Sequence, residues 1–118
     1  HRVIEGFMAQ TGDVEFGNSN IKNFNLSRAG TGGSKLPDIE AEFSDVNHGR
    51  GVLSMARSQS PNSANSQFFI CFGDASFLDG EYTVWGQVVE GMEFVDNIIK
   101  GEPPKNPDKI IKMEIINK

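Results

Sequence analysis

The longest apolar run in this 118-residue sequence has only five residues, Phe68 to Phe72, and this limits what the chain can fold into. A helix that spans a bilayer needs about 20 apolar residues, so no membrane span is predicted. The run is short and rich in aromatic residues, which predicts a strand at the centre of a sheet. A second apolar segment, residues 51–56, predicts another buried strand, and a polar loop joins the two.

Four further segments predict strands, so the expected fold class is mainly β. They are short, mostly apolar and bounded by loop-forming residues, and they cover residues 3–4, 7–10, 82–89 and 110–116. Gly86 lies inside the third of these segments and predicts a bulge or close packing. Because a single core typically serves about 50 to 200 residues, we expect one domain over residues 1–118.

One short helix is predicted in the C-terminal half of the chain. Apolar residues recur there at helical spacing, which predicts a helix over residues 92–100. Gly101 follows directly and favours a helix end.

Composition excludes several classes of function. Lys and Arg number 11 against 16 Asp and Glu, a net charge of −5, which argues against nucleic-acid binding. The single cysteine, Cys71, cannot form an internal disulfide and is interpreted as a core residue, and His48 is interpreted as a turn residue. No spacing of His and Cys suggests a metal site, and no cofactor is predicted. An acidic set that includes Asp38 and Asp45 could bind calcium, but it lacks a glycine-pivoted loop and is interpreted as a solvated face.

Residues 30–33, Gly-Thr-Gly-Gly, close a long Asn-, Ser- and Gly-rich loop. Successive backbone N–H groups in such a segment can form an anion-holding nest. Without a following helix or lysine motif, the segment is only a weak signal of a ligand site.

A group of polar and apolar residues on two predicted strands suggests a binding hollow. Alternation places Met8 and Gln10 on one face of their strand, and Gln67 and Phe69 likewise share a face. If these strands are neighbours, an apolar hollow forms with amides and the guanidinium of Arg2 at its rim. Each residue taken alone is more often structural, so a core or surface role stays open for each.

Several short sequence motifs together resemble those of one family. The motifs are residues 1–13, 30–33, 51–56, 66–70 and 77–80, and they occur in the family's order. On these residues the chain resembles the cyclophilin-type peptidyl-prolyl cis-trans isomerases, specifically their bacterial branch. The resemblance implies an eight-stranded antiparallel β-barrel capped by two helices. The first two strands and first helix of that fold would precede residue 1, so we expect an incomplete, open barrel that is marginally stable as an isolated chain.

The resemblance also implies a site, position by position. The catalytic arginine would be Arg2. The other implied substrate-binding residues form the proline pocket (Phe7, Met8, Phe69 and Leu78), its polar rim (Gln10 and Gln67), a backbone-contact segment (Ala56, Arg57 and Ser58) and the pocket edge (Phe77 and Tyr82).

Four positions depart from the family's common pattern. Phe77 stands where tryptophan is common in cyclosporin-sensitive members, so weak affinity for cyclosporin-like ligands is expected. Tyr82 replaces a frequent histidine and Arg57 a frequent asparagine, which predicts altered preference for the residues that flank the proline. Thr11 replaces a glycine.

The implied function is isomerisation of X–Pro bonds in peptides and unfolded protein clients, by a monomer that assists protein folding. The location expected is the cytoplasm, with the periplasm as the alternative. A second interpretation is a chaperone or scaffold module that binds proline-containing peptides without catalysis. A third, a small β-barrel ligand carrier, does not explain the joint presence of Arg2, Gln10 and Gln67.

Overall fold

The computed structural model describes residues 1–117, which form one antiparallel five-stranded sheet. The strands are β1 (Arg2–Ile4), β2 (Met8–Thr11), β3 (Val52–Met55), β4 (Phe68–Cys71) and β5 (Val84–Gln87), in the spatial order β1-β2-β4-β3-β5. Two 3₁₀ turns, Leu26–Arg28 and Ser76–Leu78, and one α-helix, α1 (Met92–Asp96), complete the regular structure. The mainly β class predicted from the sequence is confirmed. No helix in the described part of the chain is long and apolar enough to cross a membrane.

The apolar run of the sequence forms β4, the middle strand of the sheet, as predicted. Ile70 of β4 lies opposite Ala9 on one side and Leu53 on the other. Three of the four residues of β4 are buried and Ile70 is half-buried, which suits the aromatic and β-branched residues of this strand. The core behind the sheet is built from Met8, Val52, Phe69, Cys71 and Ala75.

The bulge predicted at Gly86 is present where β5 pairs with β3. Leu53 lies opposite Gly86 but the next residue, Ser54, lies opposite Val84, so Trp85 is the extra residue. The Trp85 ring packs edge-on against Phe68, with ring centroids 5.4 Å apart. A bulge bends its strand and increases the local twist.

The sheet does not close, which confirms the expected open barrel. At one edge, Val3 of β1 exchanges two backbone hydrogen bonds with Gly101, each 2.8 Å long. The predicted strand at residues 110–116 is wrong, because this segment has no strand pairing and its side chains are exposed. An apolar segment becomes a strand only when a neighbouring strand accepts its backbone hydrogen bonds, and β1 pairs with Gly101 instead.

The predicted helix over residues 92–100 was too long, since α1 ends at Asp96. Lys100 Nζ donates to the carbonyl oxygens of Asp96 (2.6 Å) and Ile98 (2.9 Å), so these oxygens are satisfied without further helix. The Ile99 N–H donates to the Asp108 carboxylate at 2.8 Å, which takes the backbone off the helical path.

Marginal stability of the isolated 118-residue chain stays a prediction. The open sheet and exposed apolar residues such as Ile111 and Ile115, each 92% exposed, favour aggregation. We expect a broad, low-temperature thermal transition accompanied by light scattering. A cooperative, reversible melt at high temperature in calorimetry would contradict this.

His48 lies in the loop before β3, in line with its interpretation as a turn residue, but its side chain is buried. Only 1% of the residue is exposed. Its Nδ1 lies 3.0 Å from the Asp79 carboxylate, and its Nε2 lies 2.8 Å from the Ser54 hydroxyl. The Ser54 hydroxyl in turn donates to the Thr83 carbonyl at 3.0 Å. This network ties β3 to the turn that follows Ser76–Leu78.

Cys71 is fully buried in the core, as its sequence interpretation predicted. Burial raises the pKa of its thiol to about 11, and the negative charge of Asp79 adds to the shift. Since the thiolate is the reactive form, we expect the native protein at pH 8 to leave a disulfide reagent such as DTNB almost unreacted. The urea-unfolded protein should release one equivalent of chromophore at once. Equally fast reaction of the native protein would contradict the burial.

Candidate functional site

A hollow of about 180 Å³ opens on one face of the sheet, and we call it the first hollow. It brings together nine of the predicted site residues, namely Arg2, Phe7, Met8, Gln10, Ala56, Arg57, Phe69, Leu78 and Tyr82. They meet because β2 and β4 are neighbours, as the sequence analysis required: Gln10 lies directly opposite Phe69.

The floor of the first hollow is apolar and rigid. Met8 and Phe69 are 1% and 4% exposed, so their packing fixes their side chains. The ring of Tyr82 meets Phe69 edge to face at 6.1 Å, and His48 stacks behind Phe69 at 6.2 Å. The hollow can therefore hold a small apolar group without rearranging.

Arg2 lies at the rim of this hollow, held by two neighbours. Its Nε donates to Glu102 at 2.9 Å and its Nη1 to the Gln10 side-chain oxygen at 3.4 Å. A guanidinium carries five N–H donors, so three remain when these two contacts are counted. The side chain is 40% exposed, which leaves those donors accessible to a ligand.

Gln10 is itself held by a chain of side-chain contacts. Its amide nitrogen donates to the Gln67 oxygen at 3.0 Å. The Gln67 amide nitrogen donates to the carbonyls of Gly30 and Gly32, each at 2.9 Å. Both amide protons of Gln67 are thus used, and its side-chain orientation is fixed by the glycine segment.

Asp13 organises that glycine segment, a role that the sequence analysis missed. Its buried carboxylate accepts four backbone hydrogen bonds, from Glu15, Phe16, Gly30 and Gly32, at 2.8 to 3.0 Å. Burial acts to raise the pKa of Asp13, but the four N–H donors outweigh it and hold the pKa below its usual range. Two of the backbone N–H groups of residues 30–33, weighed from sequence as an anion-holding nest, therefore bind the carboxylate of Asp13.

Gly30 cannot be replaced by a larger residue in this arrangement. Its φ is +98°, and a Cβ there would lie 2.5 Å from the ring of His1. An Asp two residues after β2, followed later by a Gly-x-Gly segment, was the available sequence signal for this contact.

A second hollow of about 280 Å³ adjoins the first. The two share Gln10, Ala56 and Arg57. The predicted site residues Ser58 and Gln67 line this second hollow rather than the first. Because they share these residues, the two hollows lie side by side, and together we call them the cleft.

Phe77 is the one predicted site residue that lines neither hollow. It lies in the exposed 3₁₀ turn Ser76–Leu78 and is 67% exposed. Its ring packs on that of Phe7, with centroids 5.4 Å apart. Phe77 thus supports the wall of the first hollow from outside.

Ser54, His48 and Asp79 have the residue types and spacing of a hydrolase triad, but they do not form a nucleophilic site. Ser54 is 0% exposed, so no substrate reaches its hydroxyl. That hydroxyl also donates to the Thr83 carbonyl. The three residues therefore act as a structural network behind the first hollow.

Within residues 1–117, no three His, Cys, Asp or Glu side chains are grouped closely enough to hold a metal ion. The set that includes Asp38 and Asp45, weighed as a calcium site from sequence, forms no such group.

A family model described as cyclophilin type peptidyl-prolyl cis-trans isomerase/CLD matches residues 1–115. The chain belongs to the cyclophilin family. This cyclophilin is 62% identical over 120 residues to proteins of Brucella abortus (strain 2308) and Brucella suis biovar 1 (strain 1330), each named a probable peptidyl-prolyl cis-trans isomerase. The match covers 98% of this chain and 61% of each relative, so the cyclophilin chain spans about three fifths of their length.

The fold of this cyclophilin is similar to the crystal structure of a cyclophilin from Hirschia baltica. The TM-score is 0.70 at 25% sequence identity, over 91% of this chain and 55% of that one. The relatives are bacterial, in agreement with the branch inferred from the sequence.

Proposed function

We propose that this chain catalyses cis–trans isomerisation of X–Pro bonds in peptides and unfolded proteins. One observation carries the proposal. A guanidinium with free donors, Arg2, is held at the rim of an apolar hollow whose floor is formed by Met8 and Phe69. Family membership supports it, since the family's description names this reaction.

The reaction makes and breaks no covalent bond to carbon. Rotation about the peptide bond faces a barrier of about 18–20 kcal/mol, because the planar amide is stabilised by resonance and the twisted amide is not. A catalyst must therefore bind the twisted amide more tightly than either planar isomer. Each 1.36 kcal/mol of such preference gives about a tenfold increase in rate.

Arg2 can supply this preference. As the bond twists, the prolyl nitrogen becomes pyramidal and regains a lone pair that can accept a hydrogen bond. A free N–H of Arg2 donates to that lone pair, and this interaction is largely absent with the planar isomers. The guanidinium stays charged at any working pH and presents fixed donors, so it is ready without proton transfer.

The hollow and its rim position the substrate for this contact. The apolar wall, with Phe7 and Leu78 above the floor, holds the pyrrolidine ring. Gln10, fixed through Gln67, offers polar contact to the flanking peptide. Holding the pyrrolidine ring keeps the prolyl nitrogen near Arg2, while the peptide group on the other side of the bond rotates.

The main rival is a module that binds proline-containing peptides without catalysis. NMR exchange spectroscopy of an Ala-Pro peptide, with catalytic amounts of the protein as its gene encodes it, separates the two. We expect cis–trans exchange, otherwise slow over tens of seconds, to rise in proportion to protein concentration. Saturable binding with an unchanged exchange rate would support the rival and overturn the proposal.

Four finer expectations stay predictions. They are action on unfolded protein clients, weak affinity for cyclosporin-like ligands, a monomeric state and a cytoplasmic location.

A further inference from the structure

We propose that Arg57 makes the second hollow selective for an acidic residue close to the substrate proline. This inference rests on the proposed isomerase function and adds a substrate class to it. Arg57 lines both hollows, at the point where they join. A peptide whose proline occupies the first hollow therefore passes this side chain when it continues into the second.

The guanidinium of Arg57 is held in place before any ligand binds. Its Nη1 donates to the carbonyls of Ser58 and Gln59, at 2.9 and 3.1 Å, and its Nη2 donates to the carbonyl of Glu81 at 2.6 Å. The carbon of the guanidinium lies 4.3 Å from the centre of the Tyr82 ring. Little side-chain entropy is left to lose when a ligand binds, which favours affinity.

Within residues 1–117, Arg57 forms no ion pair with a carboxylate. Its partners are neutral carbonyls and an aromatic ring, whereas Arg2 and Arg50 each form an ion pair with a carboxylate. Among residues 1–117, none of those lining the two hollows is Asp or Glu, although the whole chain carries a net charge of −5. The charged side chains that line the two hollows are therefore Arg2 and Arg57, while the Asp13 carboxylate lies behind Gly30 and Gly32 and accepts their N–H groups. Of the two arginines only Arg57 lines the second hollow, and it attracts an anionic group there.

Hydrogen-bonding capacity at this wall also remains unused. In the described chain, the buried Nε of Arg57 and the buried hydroxyl of Ser66 have no partner. Both residues line the second hollow. A ligand does not reach these two buried atoms directly. Three of the five N–H donors of Arg57 bind carbonyls and Nε is buried, so the second N–H of Nη2 is the donor left for a ligand acceptor.

The expected ligand group is a carboxylate on the substrate itself. Successive residues of an extended peptide are about 3.3 Å apart, so side chains one to three residues from the proline reach the second hollow. A carboxylate suits the guanidinium better than an amide because a charge-assisted hydrogen bond is stronger. Lysine at the same position would be repelled.

The test uses peptides with one proline and with Glu, Gln or Lys placed in turn at each of three positions on either side. In NMR exchange measurements, kcat/KM should be higher for Glu than for Gln by about fivefold at one or more positions at low salt. Lys should be worse than Gln there. The Glu preference should shrink as ionic strength rises.

Two variants make the test specific. Arg57→Gln should remove the Glu preference, measured as the ratio of kcat/KM for Glu and Gln peptides. Arg28→Gln changes the net charge equally, but Arg28 packs on Phe16 outside both hollows and should leave the ratio unchanged. If Arg57→Gln does not fold, the salt dependence of the wild-type Glu/Gln ratio tests the inference. A ratio that does not fall as ionic strength rises would overturn it.

Failure of this inference is distinguishable from failure of the proposed function. Catalysis with equal kcat/KM for Glu, Gln and Lys peptides at every position would overturn the acidic preference alone. Absence of catalysis on every peptide would overturn the isomerase function, and the dissociation constants of the same peptides would then test the charge preference. A Glu preference that persists in Arg57→Gln would also overturn the role of this residue.

Discussion

Replacing Arg2 by Ala should lower kcat for X–Pro isomerisation by at least about 100-fold, as is typical when one preorganised donor to a transition state is lost. The dissociation constant of the peptide should change by no more than about threefold, because the apolar hollow that binds the ring is untouched. Exchange spectroscopy gives kcat, and titration monitored by peptide chemical shifts gives the dissociation constant.

Two further variants serve as controls for this result. Arg2→Lys keeps the charge but loses the planar fork of donors that Gln10 and Glu102 orient, so it should recover only part of the activity. Arg28→Ala removes an arginine outside both hollows and should leave kcat unchanged. Equal kcat for the wild type and Arg2→Ala, with both shown to be folded by near-ultraviolet circular dichroism, would refute the assignment of Arg2.

Replacing Asp13 by Ala should lower the free energy of unfolding by at least about 3 kcal/mol, since buried donors left without partners cost about 1–3 kcal/mol each. Four backbone N–H groups would lose their acceptor at once. A loss of this size is a large part of the free energy of unfolding of a typical domain, which is about 5–15 kcal/mol. Urea unfolding of the protein as its gene encodes it, followed by circular dichroism, measures the change.

The matched control is Asp45→Ala, which removes an exposed carboxylate and should change stability by no more than about 0.5 kcal/mol. The pH dependence gives a second readout. Because folding lowers the pKa of Asp13, its carboxylate contributes stability above the ordinary pKa of Asp, and this contribution is lost as pH falls through the lowered value. Asp13→Asn should lack this component, and parallel pH profiles for wild type and Asp13→Asn would contradict the account.

The strands that position the site were predictable because their signals are local. The alternation of Met8 with Gln10 and of Gln67 with Phe69 is visible within a few residues, and the apolar run marked β4 as central. What alternation alone could not give was the pairing of β2 with β4. The sequence analysis held that pairing as a condition for the hollow, and the register shows that it is met.

The errors arise from backbone hydrogen bonding that residue periodicity does not show. Residues 110–116 have strand composition, but no strand in the described chain pairs with them. The helix after Met92 stops early because side chains of Lys100 and Asp108 satisfy backbone groups that a longer helix would have paired. Local periodicity carries no information about either event.

The candidate site shows the same division. Asp13 belongs to a motif that the sequence analysis recognised. Its role as a hydrogen-bond acceptor depends on backbone N–H groups 17 and 19 residues further along the chain. Phe77 lies outside the hollows because the conformation of the turn that carries it exposes its ring. The residues of the site could thus be predicted from the sequence, but the contacts that hold them in place could not.

The central claim is that Arg2 binds the twisted amide more tightly than the planar one. The most direct test compares the dissociation constants of two non-reacting peptides, one with a planar surrogate and one with a twisted surrogate of the X–Pro bond, for wild type and Arg2→Ala. The account predicts that the wild type binds the twisted surrogate at least about 100-fold more tightly, in the lower range for transition-state analogues. Most of this preference should vanish in Arg2→Ala. Equal binding of the two surrogates by the wild type, or an unchanged preference in Arg2→Ala, would contradict it.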